Sequence, residues 1–286
     1  MSLESALALI ESVADYHVLF VGDTIIDQYH YVTPLGKSPK ENLVPVQYHS
    51  SESFSGGVEA AANHLRTFCK TVSIHTNVNG VRKVRMVDRD YFRKLFEVHY
   101  NGNKTPLAPC GATVDCVVIT DFGHGCMGKD MVAWSASLPY VAINAQTNSA
   151  NVGYNLITKY PRADYIVIDE PEARLAAQDR ESPIEDVILK LATGRCNKFI
   201  VTHGSRGSVG WDGERFYRHG AFTDRPIDTM GAGDAFFAVT APMSKHGTIE
   251  DLLLIGDVAG ALKTQIVGHR QAVTKDAVVA YLRETL

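Results

Sequence analysis

The chain has 286 residues, of which 45% are hydrophobic and 21% charged, and a formal net charge of -4. That length and apolar content suffice for a full core at the size of one α/β domain, while a slightly acidic balance without a basic cluster excludes a nucleic-acid footprint. No apolar run nears the roughly 20 residues needed to cross a bilayer, and five cysteines without Cys-x-x-Cys spacing indicate neither a disulfide framework nor a zinc site.

In chain order, residues 1–16 form an amphipathic helical pattern that carries Glu4, Glu11 and Asp15. This is not the basic-then-apolar pattern of a signal peptide, so a cytoplasmic protein with reduced thiols is expected. Apolar runs bounded by turn residues predict strands over 17–21, 71–77, 115–120, 140–144, 165–168 and 198–202. Helical spacing predicts helices over 57–69, 129–137, 151–160, 170–177, 184–193, 232–244, 251–265 and 275–283. Residues 29–50 and 83–100 alternate polar with β-branched and aromatic residues, which suits short antiparallel strands standing off the main sheet. No repeat or linker divides the chain. The expectation is one α/β domain over 1–286, a mainly parallel sheet with helices on both faces.

The most informative run is Asp228-Thr229-Met230-Gly231-Ala232-Gly233-Asp234-Ala235-Phe236. It opens an apolar helix, so Gly231, Ala232 and Gly233 present free amides where the helix dipole is positive, a ready site for phosphate oxygens. Asp234 in the first turn would repel phosphate as a ligand; it suits the acceptance of a proton from an attacking hydroxyl.

This run resembles the C-terminal signature of the ribokinase-like (PfkB) family of sugar and nucleoside kinases. Ser55-Gly56-Gly57 before a helix bearing Asn63 resembles that family's N-terminal signature. The resemblance implies an ATP- and Mg²⁺-dependent kinase. It assigns Asp234 as base, Gly231, Ala232 and Gly233 as anion hole, and Gly56, Gly57 and Asn63 to the sugar. It also implies that residues 29–50 and 83–100 form a lid over the sugar, through which a homodimer would pair.

Gly22-Asp23-Thr24-Ile25-Ile26-Asp27 places two carboxylates at the carboxyl end of a sheet strand, where open α/β sheets bind ligands; Asp23 and Asp27 are therefore candidates for sugar hydroxyls. With Lys37-Ser38-Pro39-Lys40-Glu41 and Val44-Pro45-Val46 it is similar to the kinase half of the bifunctional heptose 7-phosphate kinase/adenylyltransferase. That similarity implies a heptose 7-phosphate phosphorylated at its anomeric hydroxyl, with Lys83 and Arg85 facing the sugar phosphate from the lid. Asp169 and Glu172 match the family's Asn-x-x-Glu element near Mg²⁺, with Asp in place of Asn. Thr202, Gly204 and Gly207 fall on the segment that lines the nucleotide, and Gly256 and Asp257 on the wall of the adenine pocket.

Against the family pattern, the interior is short: only residues 78–82 separate the 71–77 strand from the lid return, and no helix precedes the strand at 115. Asp121-Phe122-Gly123 copies a protein-kinase triplet without the accompanying catalytic loop and reads as a strand end. Two alternatives stand beside the heptose reading: another ribokinase-like sugar or nucleoside kinase, and a non-catalytic sugar- or nucleotide-binding protein on a trimmed kinase fold.

Overall fold

In the computed structural model, residues 2–77, 80–111, 113–222 and 225–286 are described. Helix α1 (Leu3–Glu11) precedes an 18-residue strand, β1 (His17–Pro34). The first half of β1 pairs in parallel with β3 (Thr71–Asn77) on one side and β6 (Cys116–Asp121) on the other. Its second half leaves the main sheet. There it pairs antiparallel with β2 (Val46–Gly57) and in parallel with β4 (Arg82–Asp88), beyond which β5 (Arg93–Tyr100) is the edge. We call this smaller sheet the flap. From β6 the main sheet continues in parallel through β7 (Val141–Ala145), β8 (Tyr165–Asp169) and β9 (Phe199–Thr202). It ends in the antiparallel strands β10 (Ser208–Trp211) and β11 (Phe216–His219).

The central strands are buried on both faces, which explains their near-continuous apolar runs; all six residues of β6 are buried. Alternate side chains enter opposite layers. Val18, Phe20 and Val118 pack with α1, α2 (Val58–Asn63), α6 (Ala232–Met243), α7 (Ile249–Thr264) and α8 (Lys275–Thr285). Leu19, Val21, Val117 and Ile119 pack with α3 (Lys129–Ala136), α4 (Glu170–Ala177) and α5 (Ile184–Ala192).

Three local expectations need correction. The helix expected over 57–69 ends at Asn63, because the amides of His64 and Leu65 turn back to Ala61 O and Ala62 O and tighten the chain. The helix expected over 151–160 is reduced to one 3₁₀ turn at Ile157–Lys159. There Gly153 adopts φ 78°, and the Asn155 side chain donates to Asp121 O and Gln146 O, spending the segment on loop contacts. Strand β11 has no counterpart among the predicted strands; it closes the sheet by pairing with β10. Residues 101–111 and 113–115 hold no helix, yet they shield the edge strand β3: Asn77 Nδ2 donates to Thr105 O at 2.9 Å, and His75 Nε2 to Ala108 O at 2.9 Å.

Candidate active site

The carboxyl ends of the parallel strands, the N-terminus of α6 and the inner face of the flap converge. Gly231 caps α6 in the left-handed region at φ 78°, a conformation that favours glycine. A side chain there would also be tight, since a Cβ would lie 3.3 Å from both His269 Cε1 and Lys263 Cε. Gly233 has open space before it. Half-buried Asp234, in the first turn of α6, accepts a hydrogen bond from Gln146 Nε2, which follows β7. Burial raises the Asp234 pKa, opposed by the charges of His269 and Lys263 and by the Gln146 bond.

Asp228, at the start of the same turn, is almost wholly enclosed. Its Oδ1 accepts from Lys94 Nζ of β5 at 2.8 Å and from Met230 N at 3.1 Å; its Oδ2 accepts from Tyr29 Oη of β1 and Gly268 N, both at 2.9 Å. Burial alone would raise its pKa. The Lys94 bond and the two amides outweigh burial and hold it down at about 2.

Asp23 and Asp27 both sit at the junction of the two sheets and are buried. Asp23 spends its oxygens on the loop after β6, accepting from His124 N at 3.1 Å and Cys126 N at 3.0 Å; burial and the charge of Asp121 raise its pKa. Asp27 is ion-paired with Arg85 and lies 3.5 Å from His269 Nε2. Against the cost of burial, these partners lower its pKa to about 2. The two glycines before α2 make this packing possible: a Cβ on Gly56 would sit 2.2 Å from Asp27 Oδ2, and one on Gly57 2.2 Å from Asp23 O.

Of the two flap cations, Arg85 is committed, bridging Asp27 and Glu97, the latter at 3.3 Å. Lys83 is not. It is half-buried and makes no hydrogen bond or ion pair with any described residue. Burial lowers its pKa against the pull of Asp27, Glu97 and Asp234. His124, within reach of the Lys83 charge, is 5% exposed, and its Nε2 has no partner among the described residues. Burial first, then the charge of Lys83, lowers its pKa to about 4, so the ring is neutral near pH 7.

Asp169 and Glu172 form a reciprocal cap on α4. Asp169 Oδ1 accepts from Glu172 N at 2.7 Å, and Glu172 Oε2 accepts from Asp169 N at 3.0 Å. Glu172 Oε1 also accepts from Thr147 N at 2.9 Å, so both of its oxygens are engaged. Burial and the neighbouring Asp169 push its pKa up to about 8. Thr202 ends β9 in register with Asp169, and Gly204 and Gly207 shape the next turn at φ 59° and 85°. A Cβ on Gly207 would lie 2.0 Å from His219 O, so that glycine is required by the backbone. Beside this turn lies a cavity of about 460 Å³ lined by Glu170, His203, Arg206 and His219 among others.

Asn63 and Gly256 are not brought into this assembly, and Asp257 reaches it only through Ser208 and His219, which line the cavity beside the Gly204–Gly207 turn. Asn63 is exposed at the end of α2, its Oδ1 accepting from Arg66 Nε at 2.8 Å. Gly256 is a packing glycine: it is buried, and a Cβ there would sit 2.5 Å from the Phe236 ring. Asp257 ties α7 to the sheet, accepting from Ser208 Oγ at 2.7 Å and from His219 Nδ1 at 2.9 Å. Gln146, Lys263, His269, Tyr29 and Lys94 were missed. Among the described residues, no group of three or more His, Cys, Asp or Glu side chains is arranged to hold a metal, and no helix is long and apolar enough to cross a membrane.

Residues 152–276 match the family model described as pfkB family carbohydrate kinase. The chain is 36% identical over 114 residues to the ATP-dependent ribose-1-phosphate kinase of Halopiger xanaduensis, a stretch of 38% of this chain and 38% of that protein. The match thus spans well under half of that relative's length. Among solved structures, a putative ribokinase from Agrobacterium tumefaciens superposes with a TM-score of 0.73 at 17% identity, covering 95% of this chain and 98% of the other. Arabidopsis thaliana ribokinase, complexed with ribose and ATP, superposes with a TM-score of 0.70 at 15% identity, covering 94% and 99%. The fold is ribokinase-like, and the similarity to the pfkB family carbohydrate kinase model is confined to residues 152–276.

Proposed function

We propose that the protein transfers a phosphoryl group from ATP to a hydroxyl of a sugar or sugar phosphate. The observation that carries this reading is the glycine-capped start of α6, with Asp234 half-buried in its first turn and the flap cations across from it. In this reading Asp234, its pKa raised by burial, accepts the proton of the attacking hydroxyl. The amides of Gly231 and Gly233, with that of Ala232 once it leaves its long 3.4 Å bond to Thr229 O, hold the transferring phosphoryl group. Asp23, Asp27, Gly56 and Gly57 shape the acceptor end, and Thr202, Gly204 and Gly207 the nucleotide end.

Mg²⁺ would supply charge neutralisation on the phosphates, which are its usual main ligands. Glu172 has no free oxygen for it, whereas the second oxygen of exposed Asp169 does fit as a holder of the ion's water shell.

A phosphorylated acceptor is favoured by Lys83, a half-buried cation without a partner among the described residues, and agrees with the name of the ribose-1-phosphate kinase relative. A heptose 7-phosphate, taken at the anomeric hydroxyl, is the specific candidate and rests on the motif similarity. A homodimer through the flap is proposed on the exposed apolar side chains Tyr48, Phe96, Val98 and Tyr100 of β2 and β5. ADP release from MgATP across a panel of sugars, nucleosides and sugar phosphates tests the activity. Turnover restricted to phosphorylated sugars supports the full reading; binding of sugar or nucleotide without any ADP release would replace it with the non-catalytic one.

A further inference from the structure

Lys263 stands fifteenth in the sixteen-residue helix α7, an element made mostly of buried apolar residues, and it is itself 0% exposed. Its ammonium donates to Met230 O at 2.8 Å, Gly268 O at 2.8 Å and Ile266 O at 3.3 Å. No carboxylate pairs with it directly among the described residues. Burying an ammonium is costly unless its protons are satisfied, and here three carbonyls satisfy them.

The arrangement has a reciprocal on the other side of the same backbone. Asp228 accepts from the amides of Met230 and Gly268, and Lys263 donates to the carbonyls of those same two residues. Met230 immediately precedes Gly231, so one peptide unit carries both the carbonyl held by Lys263 and the N–H of Gly231. In a trans peptide these two groups point in opposite directions. With its carbonyl turned inward onto the ammonium, the unit turns the Gly231 N–H outward, and no described group accepts it. A cation on the carbonyl side also draws electron density from the unit and makes that N–H a stronger donor.

We propose that Lys263 is a positioning residue for phosphoryl transfer, holding and polarising the Met230–Gly231 peptide so that the Gly231 amide is fixed toward a bound phosphoryl group. The role rests on the kinase reading above; no bond is made or broken at Lys263, which acts through the amide alone.

Lys263→Met keeps most of the volume and removes the charge; Lys263→Ala removes the side chain and opens space for a small amine. In the folded variants, kcat with MgATP and the accepted sugar should fall about 10- to 100-fold, somewhat less than the loss of a direct oxyanion donor. The acceptor KM should change little. Ammonium or ethylammonium chloride should restore activity to Lys263→Ala relative to matched sodium chloride and leave the wild type unaffected. A purely structural lysine would lower activity only in proportion to the folded fraction and show no response to amine, and that result overturns the proposal. So does a near-normal kcat in both variants. Calorimetric binding of ADP and of inorganic phosphate gives a readout free of turnover. If the wild type releases no ADP with any acceptor, the kinase reading fails. A roughly tenfold or greater loss of phosphate affinity in Lys263→Met would then still support the role of Lys263, and equal affinity would end it.

Discussion

The hydroxyl of Tyr29 donates to Asp228 at 2.9 Å, joining a flap strand to the turn that opens α6. Lys94, on another flap strand, meets the second oxygen of the same carboxylate. One buried anion therefore ties the flap to the candidate phosphate turn, and its protonation state matters to both.

The ordinary Asp228 pKa of 3.8 is held at about 2 in the folded chain. Because the folded value is the lower one, the unfolded chain binds more protons as pH falls. The stabilisation is complete above roughly pH 4 and is lost as pH drops toward 2. A shift of this size is worth about 2 kcal/mol. Asp228→Asn should be less stable at pH 7 by roughly that amount and should lose less than the wild type between pH 4 and 2. Urea unfolding across that range measures both; parallel curves for the two proteins would falsify the assignment.

Asp234→Asn should fold normally and lose turnover by about 10²- to 10⁴-fold, the worth of a positioned general base, with nucleotide binding little changed. Steady-state kinetics beside ADP calorimetry decide it. A variant retaining more than about a tenth of wild-type kcat removes Asp234 from that role.

Lys83 and Arg85 share a face of β4 but differ in commitment, and their alanine variants should separate. Arg85→Ala leaves buried Asp27 with the His269 ring as its remaining described partner and should cost roughly 2–3 kcal/mol of stability, below the ~3–5 expected for a buried charge left wholly unpaired. Lys83→Ala breaks no described bond, should leave the melting temperature nearly unchanged, and should weaken kcat/KM for a phosphorylated acceptor far more than for the free sugar. Equal losses on the two acceptors would return the substrate to an unphosphorylated sugar.

Gly256→Ala should act through packing. Its Cβ would press on the Phe236 ring, and overpacking of this kind costs about 1–3 kcal/mol. Thermal unfolding should register that loss while ADP affinity in the folded protein stays within about twofold. A selective fall in ADP affinity at unchanged stability would restore Gly256 to the nucleotide pocket.

The parallel strands could be read in advance because their centres, such as residues 116–119 of β6, are apolar on both faces. Gly231 to Asp234 could be read because the helix cap, the amides and the carboxylate are contiguous. Gln146, His269 and Lys94 could not: each reaches the site only through tertiary folding from a different element. Lys263 left a signal, a lone lysine on the apolar side of a helix. Asn63 shows the opposite difficulty, since a six-residue helix leaves its outward face undetermined by periodicity. The turn at Gly153 defeated the helical pattern over 151–160, and Asn155 found partners in the neighbouring loops.

Strand β1 belongs to both sheets without a break, and this sets a mechanical rule for the molecule. The flap is the outer half of a beam clamped between β3 and β6, tied back by β2, which runs directly into α2, and by the bonds of Tyr29 and Lys94 to Asp228. A single residue inserted between Asp23 and Asp27 would reverse which side chains of the outer half face inward, carrying Asp27 and Tyr29 away from their partners while leaving the clamped half in place. Grafting a flap from a relative therefore requires keeping count along this one strand, whereas the loops at its far end can be exchanged with more freedom.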